Sequence, residues 1–395
     1  MSDSHAPATP VHPFGLAFAL ALAAAVSLGF ARFSYALLLP PMRAELQWSY
    51  FVAGAMNTAN AAGYLAGALL APRWFARFDA GRVLTAGGAA AALALAAHAF
   101  ARGDAMLYAL RALTGIASAA TFVGGGLLAA RLAQHAAHPG RVLGLYYGGT
   151  GLGIVGSTLI VPPLPWRAAW LALAAVSLAC TAITAAAIAA ARRGPAALAT
   201  APAQGAAHAS ARWRPMTLAL ASYLMFGFGY IGYMTFIVTL LREQGLGTGR
   251  IASFYGLLGA GAIASSWVWA GVLQRARGGQ ALALLNALLA VATLVPVLGT
   301  QPLPLAASCL LFGGTFLSVV ASTTAFVRHN LPAVAWPAGI AAFTIVFAAG
   351  QILGPSLTGW LADGPGGLRR GLLGSAAALA VGSVLALRQK ALRAD

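Results

Sequence analysis

Twelve long runs of hydrophobic residues follow one another along this chain, and short polar breaks separate them. A membrane-spanning α-helix needs about 20 apolar residues, and each run is close to that length or longer. The pattern therefore predicts an all-α membrane protein with twelve transmembrane helices. The runs cover residues 14–40, 50–71, 82–101, 105–130, 141–163, 168–191, 214–241, 250–273, 280–299, 303–327, 336–361 and 367–387.

A longer break, rich in Ala and Pro, separates the sixth run from the seventh, and four arginines lie in it or directly after it: Arg192, Arg193, Arg212 and Arg214. This composition is typical of a flexible linker. We therefore expect an N-terminal six-helix half (1–191), a cytoplasmic linker (192–213) and a C-terminal six-helix half (214–395).

The two halves also share short motifs at a nearly constant distance along the chain. Three matches near one offset predict two six-helix pseudo-repeats, an architecture that in transporters places a solute site between the repeats near mid-membrane. The first two pairs are 198 positions apart and the third is 194 apart: Gly29-Phe30 and Tyr35 with Gly227-Phe228 and Tyr233, 154–159 with 352–357, and Thr121-Phe122 with Thr315-Phe316.

Composition and charge support the membrane interpretation. The chain is 60% hydrophobic and 8% charged, whereas soluble domains carry about 25% charged residues. A net charge of +17 would suggest nucleic acid as the partner of a soluble protein, but here the cations lie in short loops between spans. Fifteen fall on one predicted side and seven on the other. The positive-inside rule then places both termini in the cytoplasm, in a multi-pass protein of the cytoplasmic (inner) membrane without a nucleic-acid partner.

Only two charged side chains, Arg32 and Arg111, fall inside predicted spans. An arginine at helix centre costs about 2.5–3.5 kcal/mol on insertion scales and by default indicates a functional site. At 1.5 Å per residue, we expect both to lie about 10–12 Å inside the outer boundary. No carboxylate is available there, because all seven acids fall in predicted loops or tails: Asp3, Glu45, Asp79, Asp104, Glu243, Asp363 and Asp395.

The two arginines therefore predict a binding site for an anionic solute, held by bidentate hydrogen bonds. The alternative is that Arg111 braces helix packing through backbone carbonyls and that Arg32 extends toward the interface. Without a buried acid, we also expect ion coupling not to depend on an intramembrane carboxylate.

Polar side chains on neighbouring spans extend this predicted site. Thr114 and Ser118 continue the stripe of Arg111 on helix 4 at steps of three and four, although such hydroxyls often bond their own helix. Asn57, Asn60 and Gln351 are more often interhelical hydrogen bonders than ligands. The substrate-binding candidates are Arg32, Tyr35, Arg111, Thr114, Ser118, Tyr230, Tyr233 and Gln351.

Three other patterns do not indicate enzyme chemistry. Gly151-x-Gly153-x-x-Gly156 spells a dinucleotide-binding motif, but it lies inside an apolar run without a preceding strand, so we expect close helix packing. Cys180 and Cys309 have no metal-ligating neighbours. His98 lies near an outer span end, where we expect a wet interfacial position, with a proton relay as the alternative. We predict no enzyme activity, cofactor or metal.

Several motifs give the chain a resemblance to the major facilitator superfamily. Arg111-x-x-x-Gly115 and Gly350-x-x-x-Gly354-Pro355 look like the helix-4 arginine motif and the helix-11 glycine–proline motif. The gate motif after helix 2 is degenerate, which puts the usual cytoplasmic gating contacts in doubt. The stretches 29–35, 39–42 and 60–65 resemble the YbfB-like branch of the superfamily. The remnants of the gate motif are Gly67, Arg73, Arg77, Asp79, Gly81 and Arg82.

The resemblance implies a monomeric secondary transporter that moves a small solute by alternating access. Together with the two arginines, it favours a small organic anion as the solute. Two alternatives remain open: efflux of amphipathic or drug-like compounds, and a non-transporting membrane sensor on the same fold.

Overall fold

The computed structural model describes residues 13–193 and 214–392, and within these ranges the chain forms twelve long helices. The first, α1, is composite and consists of Pro13–Ala24, a π-helical segment Ala25–Phe33, and Tyr35–Leu46. The others are α2 (Tyr50–Arg77), α3 (Ala80–His98), α4 (Asp104–Gln134), α5 (Pro139–Ile160), α6 (Trp166–Arg193), α7 (Thr217–Glu243), α8 (Thr248–Val268), α9 (Gln280–Leu298), α10 (Pro302–Asn330), α11 (Trp336–Asp363) and α12 (Gly367–Leu387).

Ten of these helices are long and apolar enough to cross a membrane, counted over the described residues. The remaining two are α2, which carries Asn57, Thr58 and Asn60, and the glycine-rich α5. Both pack between the first six and the last six helices, α2 against α11 and α5 against α8. Because these faces contact protein rather than lipid, they need less hydrophobicity than an isolated span. The proposed linker lies almost entirely outside the described residues.

The helices run antiparallel, so the bundle has two ends. We call one the Tyr50 end, where α1 finishes and α2 begins, and the other the Arg193 end, where α6 finishes and α7 begins. Side-chain contacts tie neighbouring helices at both ends: Trp48 donates to Asp104 at the Tyr50 end, and Arg192 to Asp79 at the Arg193 end.

Helix α1 is longer than the hydrophobic pattern predicts. It continues through Pro40 and Pro41 to Leu46, and the segment Tyr35–Leu46 packs against α7, with burial extending to Met42. Arg32 therefore lies fourteen residues from the end of α1, about 21 Å along the helix axis. The predicted depth of about 10–12 Å was counted from Pro40, six residues before the end of α1, and this depth below the membrane surface stays a prediction.

The internal repeat is visible in backbone contacts that recur 198 positions apart. A Cβ atom built on Gly63 would lie 2.0 Å from the carbonyl oxygen of Ala112, so α2 and α4 touch through their backbones. The counterpart Gly261 lies in the same way against Leu310, which joins α8 to α10. Equal contacts at one offset confirm two six-helix pseudo-repeats.

The same register corrects one of the three sequence matches. Gly115 packs on Asn60 and, 198 positions later, Gly313 packs on Leu258, which fixes the alignment of α4 with α10. Thr121-Phe122 and Thr315-Phe316 are only 194 positions apart and so lie one helical turn out of register. That similarity is not part of the repeat.

The glycine motif of α5 serves helix packing, as expected. Gly151 lies against the carbonyl of Gly259 on α8, and Gly153 lies against the backbone of Gly29 on α1. Gly156 contacts the ring of Phe30. Any larger side chain at the first two positions would push these helices apart, so the spacing reflects close approach.

Candidate functional site

The π-helical segment of α1 carries Arg32 into the middle of the bundle. Its last turn is closed by the Ser34 N–H, which donates to the Gly29 carbonyl five residues earlier at 2.9 Å. Single π-turns are rare and occur frequently at functional sites. The wider turn includes Arg32, whose side chain is buried at 4% exposure.

Arg32 connects the two sets of six helices. Its Nη2 donates to the Gln351 Oε1 on α11, and its guanidinium lies 5.8 Å from the ring centroid of Tyr64 on α2. Tyr230 of α7 lies in the same region, since its ring stacks on Phe316, which contacts the ring of Phe33 next to Arg32. The Arg32 Nε is buried without a hydrogen-bond partner in the described chain. This guanidinium therefore has donor capacity that the protein leaves unused.

Arg111 lies beside Arg32 but has a different set of partners. Its Nη1 donates to the carbonyl of Ala31 at 3.1 Å, its Nη2 to the Asn57 Oδ1 at 3.1 Å, and its Nε to the carbonyl of Met56 at 3.4 Å. The guanidinium also lies 4.5 Å from the ring centroid of Tyr35. These contacts correspond to the bracing alternative, while solute binding by Arg111 stays a prediction.

The other candidates near Arg111 are mostly engaged within the protein. The Tyr35 hydroxyl donates to the Ala53 carbonyl at 2.9 Å, and the Thr114 hydroxyl donates to the Leu110 carbonyl of its own helix at 2.7 Å. Ser118 is buried, and its hydroxyl has no hydrogen-bond partner in the described chain. Of these three, only Ser118 retains a free polar atom.

The two tyrosines of α7 lie in different surroundings. The Tyr230 ring stacks on Phe226 and Phe347, with centroids 4.7 Å and 5.7 Å away, and faces the Arg32 region. The Tyr233 ring instead stacks on Phe312 of α10 at 3.9 Å, which places it in the packing of the C-terminal six helices. The structure therefore brings Arg32, Tyr230 and Gln351 together and separates Tyr233 from them.

Sequence reasoning missed an aromatic cluster beside Arg32. Near-parallel rings of α7, α10 and α11 stack on one another, and the ring centroid of Tyr64 on α2 lies 5.8 Å from the guanidinium. Each of these helices is hydrophobic throughout, so the sequence pattern alone does not separate these rings from ordinary core residues. The stacked rings are Tyr223, Phe226, Tyr230, Phe316 and Phe347.

Hydrogen bonds between the two sets of helices close the Tyr50 end. The Tyr50 hydroxyl donates to Glu243 on α7, and Arg43 pairs with the same carboxylate at 3.7 Å. Asp363 on α11 accepts from the backbone N–H groups of Tyr50 and Phe51 at 2.7 Å and 2.9 Å. The bundle is thus closed between Arg32 and the Tyr50 end.

Other hydrogen bonds join the first six helices to the last six farther from the Tyr50 end, toward Arg32. Asn57 donates to Thr235 at 2.7 Å, which confirms the interhelical role expected for Asn57. Tyr255 donates to the carbonyl of Phe33 at 2.8 Å. Thr58 donates to the carbonyl of Ile352 at 2.7 Å. All of these bonds lie at the level of Arg32 or nearer the Tyr50 end.

The prediction of a wet interfacial His98 is wrong. His98 is completely buried, its ring stacks on Trp170 with centroids 4.5 Å apart, and its Nδ1 lies 2.7 Å from the Ala94 carbonyl.

The described acids occupy the first or last turns of helices, or cap them. Glu45 accepts from the Trp166 indole, and Asp79 caps α3 by accepting from the Gly81 N–H. Asp104, Glu243 and Asp363 lie at the Tyr50 end. None of these five acids reaches the level of Arg32, as the sequence predicts.

Solved structures of other transporters share this fold. The nucleoside transporter NupG, as a mutant, gives a TM-score of 0.69 at 13% identity, over 94% of this chain and 98% of that one. A bacterial homologue of the human lysosomal transporter Spinster, in an inward-facing and unoccupied conformation, gives a TM-score of 0.67 at 12% identity, over 95% of each chain. At such identities the likeness establishes the fold alone. A search of curated protein sequences found no significant match.

The sequence also matches a family model over residues 24–387, which is most of the chain. The model is described as "Uncharacterised MFS-type transporter YbfB". This agrees with the resemblance carried by the stretches 29–35, 39–42 and 60–65. The family consists of transporters and not of enzymes, and its members span the membrane many times. The chain therefore belongs to the major facilitator superfamily of transporters, in the YbfB family.

Proposed function

We propose that this transporter moves a small organic anion across the cytoplasmic membrane by alternating access, with Arg32 as the principal anion-binding group. One observation carries the proposal: Arg32 is buried at the interface of the two six-helix sets, with an unpartnered Nε and no carboxylate within the described chain at its level. A buried cation without a counter-ion is expensive. A carboxylate, sulfonate or phosphate of the solute would offset that cost.

The position of Arg32 suits alternating access. Its only side-chain hydrogen-bond partner in the described chain, Gln351, belongs to the other six-helix set. When a solute oxygen replaces the Gln351 oxygen, the contact between the sets changes, so binding and conformational change are coupled. Arg111 supports this site by bonding the Ala31 carbonyl next to Arg32.

A second candidate function, efflux of amphipathic compounds, is favoured by the stacked rings beside Arg32. Solute charge distinguishes the two candidates. We would screen the purified protein for thermal stabilisation by carboxylates, sulfonates and phosphates, each paired with a neutral analogue. A ligand at 100 times its dissociation constant stabilises by about 2.7 kcal/mol. Stabilisation by neutral amphipaths alone would support efflux instead of anion transport.

The test of the site is flux of the stabilising anion into proteoliposomes. We expect Arg32→Ala to abolish flux while the protein still inserts and purifies. Arg32→Lys should rescue poorly, because an ammonium lacks the planar fork that pairs with two oxygens. Arg250→Ala, an exposed arginine at the Tyr50 end, is the matched control and should transport normally. Wild-type flux in Arg32→Ala would remove Arg32 from the site. Ligand binding without flux in the wild type would indicate a sensor.

A further inference from the structure

A groove on the outside of the bundle, whose lining includes neither Arg32 nor Arg111, has the features of a lipid site. It encloses about 730 Å³ between α2, α3 and α4, and its lining is almost entirely apolar. It reaches from Arg82, in the first turn of α3, to Ala97, in its last turn. That span of fifteen residues corresponds to about 22 Å.

The floor and walls of the groove follow from residue size. Alanines and one glycine of α3 form the floor, where α3 packs closely on α4. Large side chains stand on either side, Leu93 with 71%, Leu113 with 54% and Phe78 with 54% of their surfaces exposed. Apolar surface of this extent needs a membrane around it. The groove therefore opens to the bilayer.

The length and the charge of the groove favour a lipid as its occupant. One half of the hydrocarbon core is about 15 Å thick, so a groove about 22 Å long can hold an extended acyl chain that crosses one leaflet. The exposed Arg82 at one end of this apolar lining suits an anionic headgroup at the membrane surface.

The mouth of the groove at the Arg193 end is positively charged. Arg82 lines the groove, and Arg73 and Arg77 are exposed on the adjoining end of α2. The nearest acid, Asp79, is already bonded to Arg192 and to the Gly81 N–H. In the described part of the chain, the Arg82 guanidinium makes no ion pair or hydrogen bond. An anionic group at the mouth would meet an uncompensated charge.

We propose that this groove binds one anionic phospholipid, with an acyl chain along α3 and the headgroup phosphate on Arg82. The site is separate from the proposed solute site and does not depend on the substrate. It also gives a role to the degenerate loop after α2, whose three arginines Arg73, Arg77 and Arg82 remain without acidic partners in the described structure.

The experiment is native mass spectrometry of the detergent-purified protein with added phosphatidylglycerol or phosphatidylcholine of identical acyl chains. Each basic side chain near an anionic lipid contributes about fivefold in affinity. We expect one phosphatidylglycerol to bind at least about fivefold more tightly than phosphatidylcholine, and Arg82→Gln to remove that preference. Ala90→Trp, which fills the floor, should weaken both lipids. Glycerol phosphate, which lacks a tail, should not compete.

Two control variants match these changes. Arg141→Gln removes an exposed arginine from the same end of the bundle, and Ala175→Trp places the same bulk on the exposed face of α6. Both should bind lipid like the wild type. The proposal is overturned by equal binding of the two lipids to the wild type, or by full phosphatidylglycerol preference in Arg82→Gln. A stable dimer with the groove free of lipid would overturn it as well.

Discussion

Arg32 and Arg111 are chemically identical and lie side by side, but their surroundings give them different roles. Arg111 uses three of its nitrogen atoms on Ala31, Met56 and Asn57. Arg32 uses one, and on a residue of the other six-helix set. A solute has to compete with far fewer bonds at Arg32. The two arginines have the same charge and differ in the number of protein acceptors to which their guanidinium groups are hydrogen-bonded.

The bracing role of Arg111 predicts a loss of stability when its donors are removed. Arg111→Met removes three hydrogen bonds inside the bundle, two to backbone carbonyls and one to a side-chain amide oxygen. Interhelical hydrogen bonds in membranes average about 0.6 kcal/mol and reach about 1.7, so we expect a total loss of about 2–4 kcal/mol. Thermal unfolding of the purified protein measures it.

Two other variants complete that comparison. Arg32→Met should lower the unfolding temperature much less than Arg111→Met, because it removes one bond instead of three. Thr114→Ala removes only a bond within α4 and should be nearly neutral. An unfolding temperature unchanged in Arg111→Met would show that these bonds do not brace the bundle.

The sequence predicted the candidate residues better than their partners. Isolated charges inside apolar runs identify Arg32 and Arg111, because each is costly in a bilayer. The bond from Arg32 to Gln351 joins residues 319 positions apart, and no local pattern specifies it. The prediction for His98 was wrong for a related reason, since only the packing of α6 on α3 reveals that Trp170 covers this side chain.

At the scale of helices, glycine positions determine where backbones touch. α2 meets α4 at Gly63, and the pseudo-repeat reproduces this contact between α8 and α10 at Gly261. Glycine spacing is readable in the sequence, which explains why the close packing of α5 was predicted correctly. A one-turn slip between α4 and α10 was not detectable there, because Thr-Phe is too short a match to fix the register.

These contacts predict matched effects of single methyl groups. Gly63→Ala would place its Cβ atom 2.0 Å from the Ala112 oxygen, and Gly261→Ala would place its own 2.6 Å from the Leu310 oxygen. Overpacking of this kind costs about 1–3 kcal/mol, so both variants should unfold at lower temperature than the wild type, Gly63→Ala more so.

The control for this prediction is Gly140→Ala. No atom lies within 4 Å of a Cβ built at Gly140, near the start of α5, so the variant should be neutral or slightly stabilised. Equal unfolding temperatures for Gly63→Ala and Gly140→Ala would mean that α2 and α4 can separate without cost.

At the scale of the whole molecule, the hydrophobic runs predicted the number of helices. Helices α2 and α5 show which property of a helix produces a strong hydrophobic run. Both helices were predicted as spans, yet neither is apolar enough to qualify by composition. Their polar and glycine-rich faces, with Asn57 and Gly151 as examples, contact the other six-helix set. Burial inside the protein does not by itself weaken the signal, because α1 and α7 are mostly buried and still strongly hydrophobic. The weak signal of α2 and α5 comes from the polar and glycine residues on their interface faces.

The distribution of arginines predicts the orientation of the molecule. Among the described residues, the Arg193 end carries thirteen Lys and Arg side chains and the Tyr50 end carries seven, so we expect the Arg193 end to face the cytoplasm. In a background with alanine at Cys180 and Cys309, a membrane-impermeant maleimide should label Pro365→Cys in intact cells. Pro202→Cys should react only after permeabilisation. Labelling of position 202 in intact cells would reverse the orientation.

The contacts that close the Tyr50 end also determine the electric field of the entrance once it opens. Opening would carry Glu243 and Asp363 away with the C-terminal helices and leave Arg43 and the N-terminus of α2 on the opposite wall. That N-terminus carries a partial positive charge from its helix dipole. The mouth would then be polarised from wall to wall. An anion entering it would be steered toward the wall formed by α1 and α2, and α1 is the helix that carries Arg32.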